Sequence, residues 1–85
     1  VRVVIAEDEL LLREGLTHLL EADGIEVLAA VGTAIELEAA VARLAPDLVI
    51  TDIRMPPTHT DEGLQAAVRI RRAHPGTAVV VLSQH

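Results

Sequence analysis

The sequence has no cysteine, which excludes disulfides and thiolate metal sites and fits a cytoplasmic location. It has no phenylalanine, tyrosine or tryptophan. A stacking platform for single-stranded nucleic acid is thereby ruled out, because such platforms are built from aromatic faces. Positive charge is scarce: lysine plus arginine number 7 against 13 acids, a net charge of −6. That balance argues against a large contact with a phosphate backbone by this stretch. No apolar run approaches the roughly 18 residues of a membrane span, and no signal-peptide pattern precedes the first strand. No glycine-rich phosphate loop follows any apolar run, so nucleotide binding has no support.

What is present is a globular composition. The 85 residues are 51% hydrophobic with a mean hydropathy of +0.40, enough for one small domain and not two. The chain begins without methionine and stops at a strand end, and we expect it to be part of a longer protein.

The most informative stretch is Val49-Ile50-Thr51-Asp52-Ile53-Arg54-Met55-Pro56. Leu48-Val49-Ile50 read as a buried strand, β-branched and without polar alternation. Asp52 then stands at its carboxyl end, where open α/β sheets bind their ligands. A carboxylate there is costly to bury unless a cation or hydrogen bonds meet it.

The rest of the chain supplies the setting. Arg2 to Ala6 is a strand that runs into Glu7-Asp8-Glu9. Leu12, Leu16, Leu19 and Leu20 recur at helical spacing, which predicts an amphipathic helix over Leu10 to Ala22 with one side in the core. Asp8 or Glu9 is placed to cap it, and Gly24 to stop it in a left-handed conformation. Glu26 to Val31 is a second strand. Thr33-Ala34-Ile35-Glu36 is a capping box, and Leu37, Ala40, Val41 and Leu44 give the following helix one apolar face before Pro46 ends it. Pro56 to Thr60 is a loop, since successive prolines continue neither strand nor helix. A third helix runs from about Glu62 to Ala73, capped by Thr60 or Asp61, with Leu64, Ala67, Val68, Ile70 and Arg71 marking its inner and outer faces. His74-Pro75-Gly76 breaks it, and Ala78 to Leu82 is a fourth strand carrying Ser83, Gln84 and His85 at its end.

The order β-α-β-α-β-α-β implies right-handed crossovers and a parallel, doubly wound sheet. Parallel strands bring Glu7-Asp8, Asp52 and Ser83 to one edge. Converging carboxylates repel, and a hard divalent cation relieves the conflict: Mg²⁺ commonly takes one or two carboxylates plus water and phosphate oxygens. Asp52 could serve as metal ligand and as nucleophile toward phosphorus, and the Ser83 hydroxyl could donate to a phosphoryl oxygen.

Glu7-Asp8 after RVVIA, Asp52 within TDIRMP and Ser83 after VVVL resemble the receiver domain of bacterial two-component response regulators. The stretches EDELLLREGL and VVVLSQH are similar to its LuxR/NarL-type branch. The resemblance implies a flavodoxin-like α/β fold over residues 1–85, incomplete, with a last helix-strand-helix part outside these residues. It implies that Asp52 is the phosphoacceptor. Glu7, Asp8, Asp52 and the backbone carbonyl of Arg54 would hold Mg²⁺ or Mn²⁺. Ser83 would be the phosphate-sensing hydroxyl, and the side chains of Arg54 and His85 would tune acyl-phosphate lifetime. A sensor histidine kinase would be the donor, the first helix contributing to its docking. The active full-length form would be a homodimer, DNA would be reached only through an output domain outside this chain, and no membrane would be involved. The lysine and aromatic switch of a fifth strand lie beyond this sequence, and the stretch Pro57-Thr58-His59-Thr60-Asp61 before Gly63 is longer than the usual connection.

Blander readings stand beside these. A lone aspartate after an apolar strand is usually a turn or cap residue, and only its company with Glu7, Asp8 and Ser83 promotes Asp52. Of the four histidines, His18, His59, His74 and His85, none shares metal-ligand spacing, and His59 alone falls in a loop near the site. Arg69, Arg71 and Arg72 read as a solvated face. Two rivals remain. A phosphatase of the haloacid dehalogenase type needs an acid two residues after the nucleophile, where this chain has Arg54. A pseudo-receiver would act through protein contacts without phosphorylation.

Overall fold

Punctuation by capping residues, glycine and proline resolves the chain into seven alternating elements. The computed structural model describes residues 1–82. The elements are β1 (Arg2–Ala6), α1 (Leu10–Ala22), β2 (Glu26–Val31), α2 (Ala34–Leu44), β3 (Leu48–Asp52), α3 (Glu62–Ala73) and β4 (Ala78–Leu82). The strands form one parallel sheet in the order β2-β1-β3-β4, the flavodoxin-like arrangement expected from right-handed crossovers.

Local chemistry sets the helix ends. Glu9 caps α1, its carboxylate accepting from the amides of Leu11 and Leu12, and Gly24 follows with φ +82, the left-handed value that glycine takes without strain. Thr33 caps α2: its hydroxyl accepts from the Glu36 amide and donates to the Glu36 carboxylate. That helix ends at Ala45, which is also left-handed (φ 47). α3 begins after Asp61, but the Asp61 side chain makes no cap hydrogen bond. It accepts from Gln65 and Thr60 instead.

The core lies on the side of the sheet covered by α2 and α3. Val4, Ala6 and Val49 of the strands pack there with Leu37, Ala40 and Val41 of α2, Ala66 and Ile70 of α3, and Met55. Strand alternation sends Val3 and Ile5, both fully buried, to the opposite face, where α1 packs beside β1 and β2. A bulge between Val3 and Val4 leaves Leu28 of β2 without a partner across the pair.

α1 departs from its expected role. None of its residues is buried: Leu16 and Leu20 are half-buried, and Leu19 is 70% exposed. Periodicity identified an apolar stripe correctly, but among the described residues it is chiefly β1 and β2 that pack against it. The arginines of α3 are all exposed, as expected of a solvated face, and two of them also make hydrogen bonds there. Arg69 makes a double hydrogen bond to Glu38 of α2, and Arg71 donates to the Thr77 carbonyl, which steadies the turn into β4. β4 is a sheet edge with Val80 45% exposed.

Candidate functional site

The carboxyl ends of β1 and β3 lie side by side because the two strands pair directly, Ala6 opposite Thr51. The next residue on each chain is therefore an acid. Glu7 prolongs β1 by one backbone hydrogen bond, its amide donating to the Val31 carbonyl, and this holds its side chain inward at 2% exposure. Asp52 ends β3 at 7% exposure. Asp8 follows at the turn into α1, with its side chain 27% exposed.

Carboxylate oxygens of Glu7, Asp8 and Asp52 come within 4.8 Å of one another. The cost of that proximity is visible at Glu7, whose pKa is raised. Burial is the main cause, opposed by the Glu9 amide and reinforced by the charges of Asp52 and Asp8 and by hydrogen bonding with Asp52. Desolvation and like charge both disfavour the ionised form. The Arg13 guanidinium is close but donates to the Glu7 carbonyl.

The donor set suits a small hard cation. It is all oxygen, it carries an excess of negative charge, and it stands at a strand-end crevice open to solvent on the Asp8 side. Oxygen-only coordination with room for water is the pattern of Mg²⁺ or Mn²⁺. Arg54, two residues past Asp52, is exposed, and Met55 behind it is fully buried and anchors the loop.

That loop turns back over the acids. Glu62, in the first turn of α3, accepts from the Thr58 amide, the Thr58 hydroxyl and the Thr60 amide. Those bonds hold its pKa down at about 2. The His59 amide donates to the Met55 carbonyl at 2.9 Å, and the His59 ring reaches Asp8, Nε2 to Oδ2, at 3.0 Å. A groove of about 570 Å³ lies between α2, α3 and this loop, lined by Ile35, Glu38, Pro56, Pro57, Glu62, Gln65 and Arg69. Its polar groups are already engaged, Glu38 with Arg69 and Gln65 with Asp61, and the chemistry stays with the acids.

The structure thus brings together Glu7, Asp8 and Asp52, with Arg54 on the adjoining loop. Ser83 and His85 lie outside the described residues. Sequence reasoning marked His59 only by its neighbourhood; its partner is 51 positions away, a relation no local pattern carries. It gave Glu62 no part in the site, although the Thr58 to Glu62 spacing is that of a carboxylate folding back on its own loop.

Known proteins share this fold and sequence pattern. Residues 3–85 match the response regulator receiver domain family. The receiver domain of the putative response regulator NarL from Mycobacterium tuberculosis superposes with a TM-score of 0.89 at 31% identity, covering 100% of this chain and 67% of that one. A DNA-binding response regulator of the LuxR family from Staphylococcus aureus gives 0.87 at 28% identity, covering 99% and 68%. A protein-glutamate methylesterase/protein-glutamine glutaminase from Geobacter metallireducens is 45% identical over 82 residues, 95% of this chain and 23% of that protein. The chain spans between 23% and 40% of the length of curated relatives such as this one. With the matched span and the parallel receiver-type fold in agreement, the chain belongs to the response regulator receiver domain family, among relatives of the LuxR/NarL type.

Proposed function

We propose that this chain is the phosphoacceptor receiver of a two-component response regulator, with Asp52 as the residue phosphorylated. The observation that carries the reading is the placement of Asp52 at the tip of β3, 7% exposed, with the Glu7 and Asp8 carboxylates beside it. An oxygen of Asp52 attacks the phosphorus of a phosphohistidine on a sensor kinase. The P–N bond breaks, its electron pair returns to the imidazole, and an acyl phosphate is left on Asp52. Mg²⁺ or Mn²⁺, when bound, supplies neutralisation of the charge on the transferred oxygens. Glu7, Asp8, Asp52 and the Arg54 carbonyl would hold that cation, with Asp8 as the solvent-side ligand and buried Glu7 as support.

The phosphoryl group then meets the Ser83 hydroxyl, while the side chains of Arg54 and His85 set how fast water removes it. The role is that of a switch and not of a turnover enzyme: the phosphate biases an existing two-state equilibrium by a few kcal/mol. The likeness to the DNA-binding response regulator from Staphylococcus aureus supports a DNA-binding output domain outside this chain; the active full-length form is a homodimer. The remaining helix-strand-helix of the receiver belongs to that longer protein, located in the cytoplasm. Among the described residues no helix is long and apolar enough to cross a membrane.

The test is the intact mass of the whole protein with Mg²⁺, before and after a small-molecule phosphodonor. Wild type gains one phosphoryl group, Asp52→Asn gains none, and chelation of Mg²⁺ abolishes the gain. A wild-type protein that never gains mass is a phosphorylation-independent pseudo-receiver, and the proposal falls.

A further inference from the structure

His59 holds a position where a side chain is a burden. Its φ is 54, in the left-handed region where an L residue is strained and glycine is not. A non-glycine residue kept in such a conformation next to a site points to a task for its side chain. The loop around it is stitched to hold it there: Glu62 accepts three hydrogen bonds from Thr58 and Thr60, and the His59 amide is fixed to Met55, which is fully buried.

The imidazole meets Asp8, with Nε2 3.0 Å from Oδ2. An ionised carboxylate only accepts, so Nε2 carries the hydrogen and donates. Asp8 is the one acid of the three that burial does not hold in place. Glu7 and Asp52 are 2% and 7% exposed, and both repel the Asp8 carboxylate. Left free, Asp8 would turn outward to water and away from its neighbours' charge. Ligating carboxylates that are themselves hydrogen-bonded are oriented and held for the metal.

We propose that His59 is a positioning residue for cation binding: through Nε2–H to Oδ2 it holds Asp8 beside Glu7 and Asp52 and so raises the affinity of the three acids for a divalent cation. This rests on the reading of those acids as the metal site. The five-residue stretch 57–61 that carries His59 is then a built-in support for the site and not a passive insertion.

The experiment is calorimetric titration of the whole protein with MgCl₂, repeated with MnCl₂, for wild type, Asp8→Asn, His59→Ala and His59→Gln. Glutamine places an N–H at the reach of Nε2. His59→Ala is expected to weaken both cations by about tenfold or more, with His59→Gln restoring most of the affinity and the two His59 variants melting alike. Equal or tighter binding by His59→Ala overturns the proposal, as does a glutamine variant as weak as the alanine one. A wild type that binds neither cation, or an Asp8→Asn variant that binds as wild type, overturns the metal-site reading itself and the proposal with it.

Discussion

The Cα of Gly63 approaches the end of β3 so closely that a β-carbon on it would sit 1.6 Å from the Asp52 carbonyl oxygen. The same approach lets the Gly63 amide donate to the Ile53 carbonyl at 2.8 Å. The start of α3 is thereby clamped onto the strand tip that carries the acceptor aspartate. No rotamer avoids a backbone atom, so Gly63→Ala must push α3 away from β3. The expected cost is about 3 kcal/mol. Urea unfolding measures it, and a midpoint equal to wild type would show that α3 can shift freely and that the clamp does not exist.

The same pair shows what a sequence can and cannot say. Gly63 was recognisable as the glycine after the TDIRMP stretch, but its reason, backbone against backbone, is a tertiary fact. Element bounds were legible because Thr33, Gly24, Pro46 and the His74-Pro75-Gly76 break are local signals with local physics. The acid cluster was legible because parallel strands bring their carboxyl ends to one edge, so Glu7, Asp8 and Asp52 meet by topology alone. The burial of α1 is not legible in the sequence, since periodicity says which side is apolar and not what covers it. The Arg69–Glu38 pair spans 31 positions and joins α3 to α2. Such partnerships depend on helix packing angles that no spacing encodes, and the His59–Asp8 contact is of the same kind.

Ala45 ends α2 with φ 47, a left-handed conformation that costs an L residue about 1–2 kcal/mol. Its amide still donates to the Val41 carbonyl, so the conformation is needed to close the helix. Glycine at a helix C-terminus takes this conformation freely but loses about 0.4–1 kcal/mol through a more flexible unfolded chain. The strain relieved exceeds the entropy lost, and Ala45→Gly is expected to stabilise by roughly 0.5 kcal/mol. A melting temperature raised by a few degrees checks it; a lowered one would mean that the strain is absent.

Glu62 titrates at about 2, well below the ordinary 4.5, chiefly because the Thr58 hydroxyl donates to it, with the Thr58 and Thr60 amides adding to the effect. A depressed carboxylate stabilises the fold most when ionised, so its contribution is complete above about 4.5 and is lost as pH falls through about 2. The loop over the acids should therefore keep its order at mildly acidic pH. Carboxyl resonances followed by NMR should place the Glu62 midpoint near 2, and the Thr58 and Thr60 amides should exchange slowly with solvent down to that range. Glu62→Gln removes the anionic acceptor: both amides should exchange faster at neutral pH, and His59 should lose its fixed position against Asp8. A Glu62 that titrates at the ordinary value would mean that the three hydrogen bonds do not form in solution, and the loop would then have no rigid means of presenting its histidine.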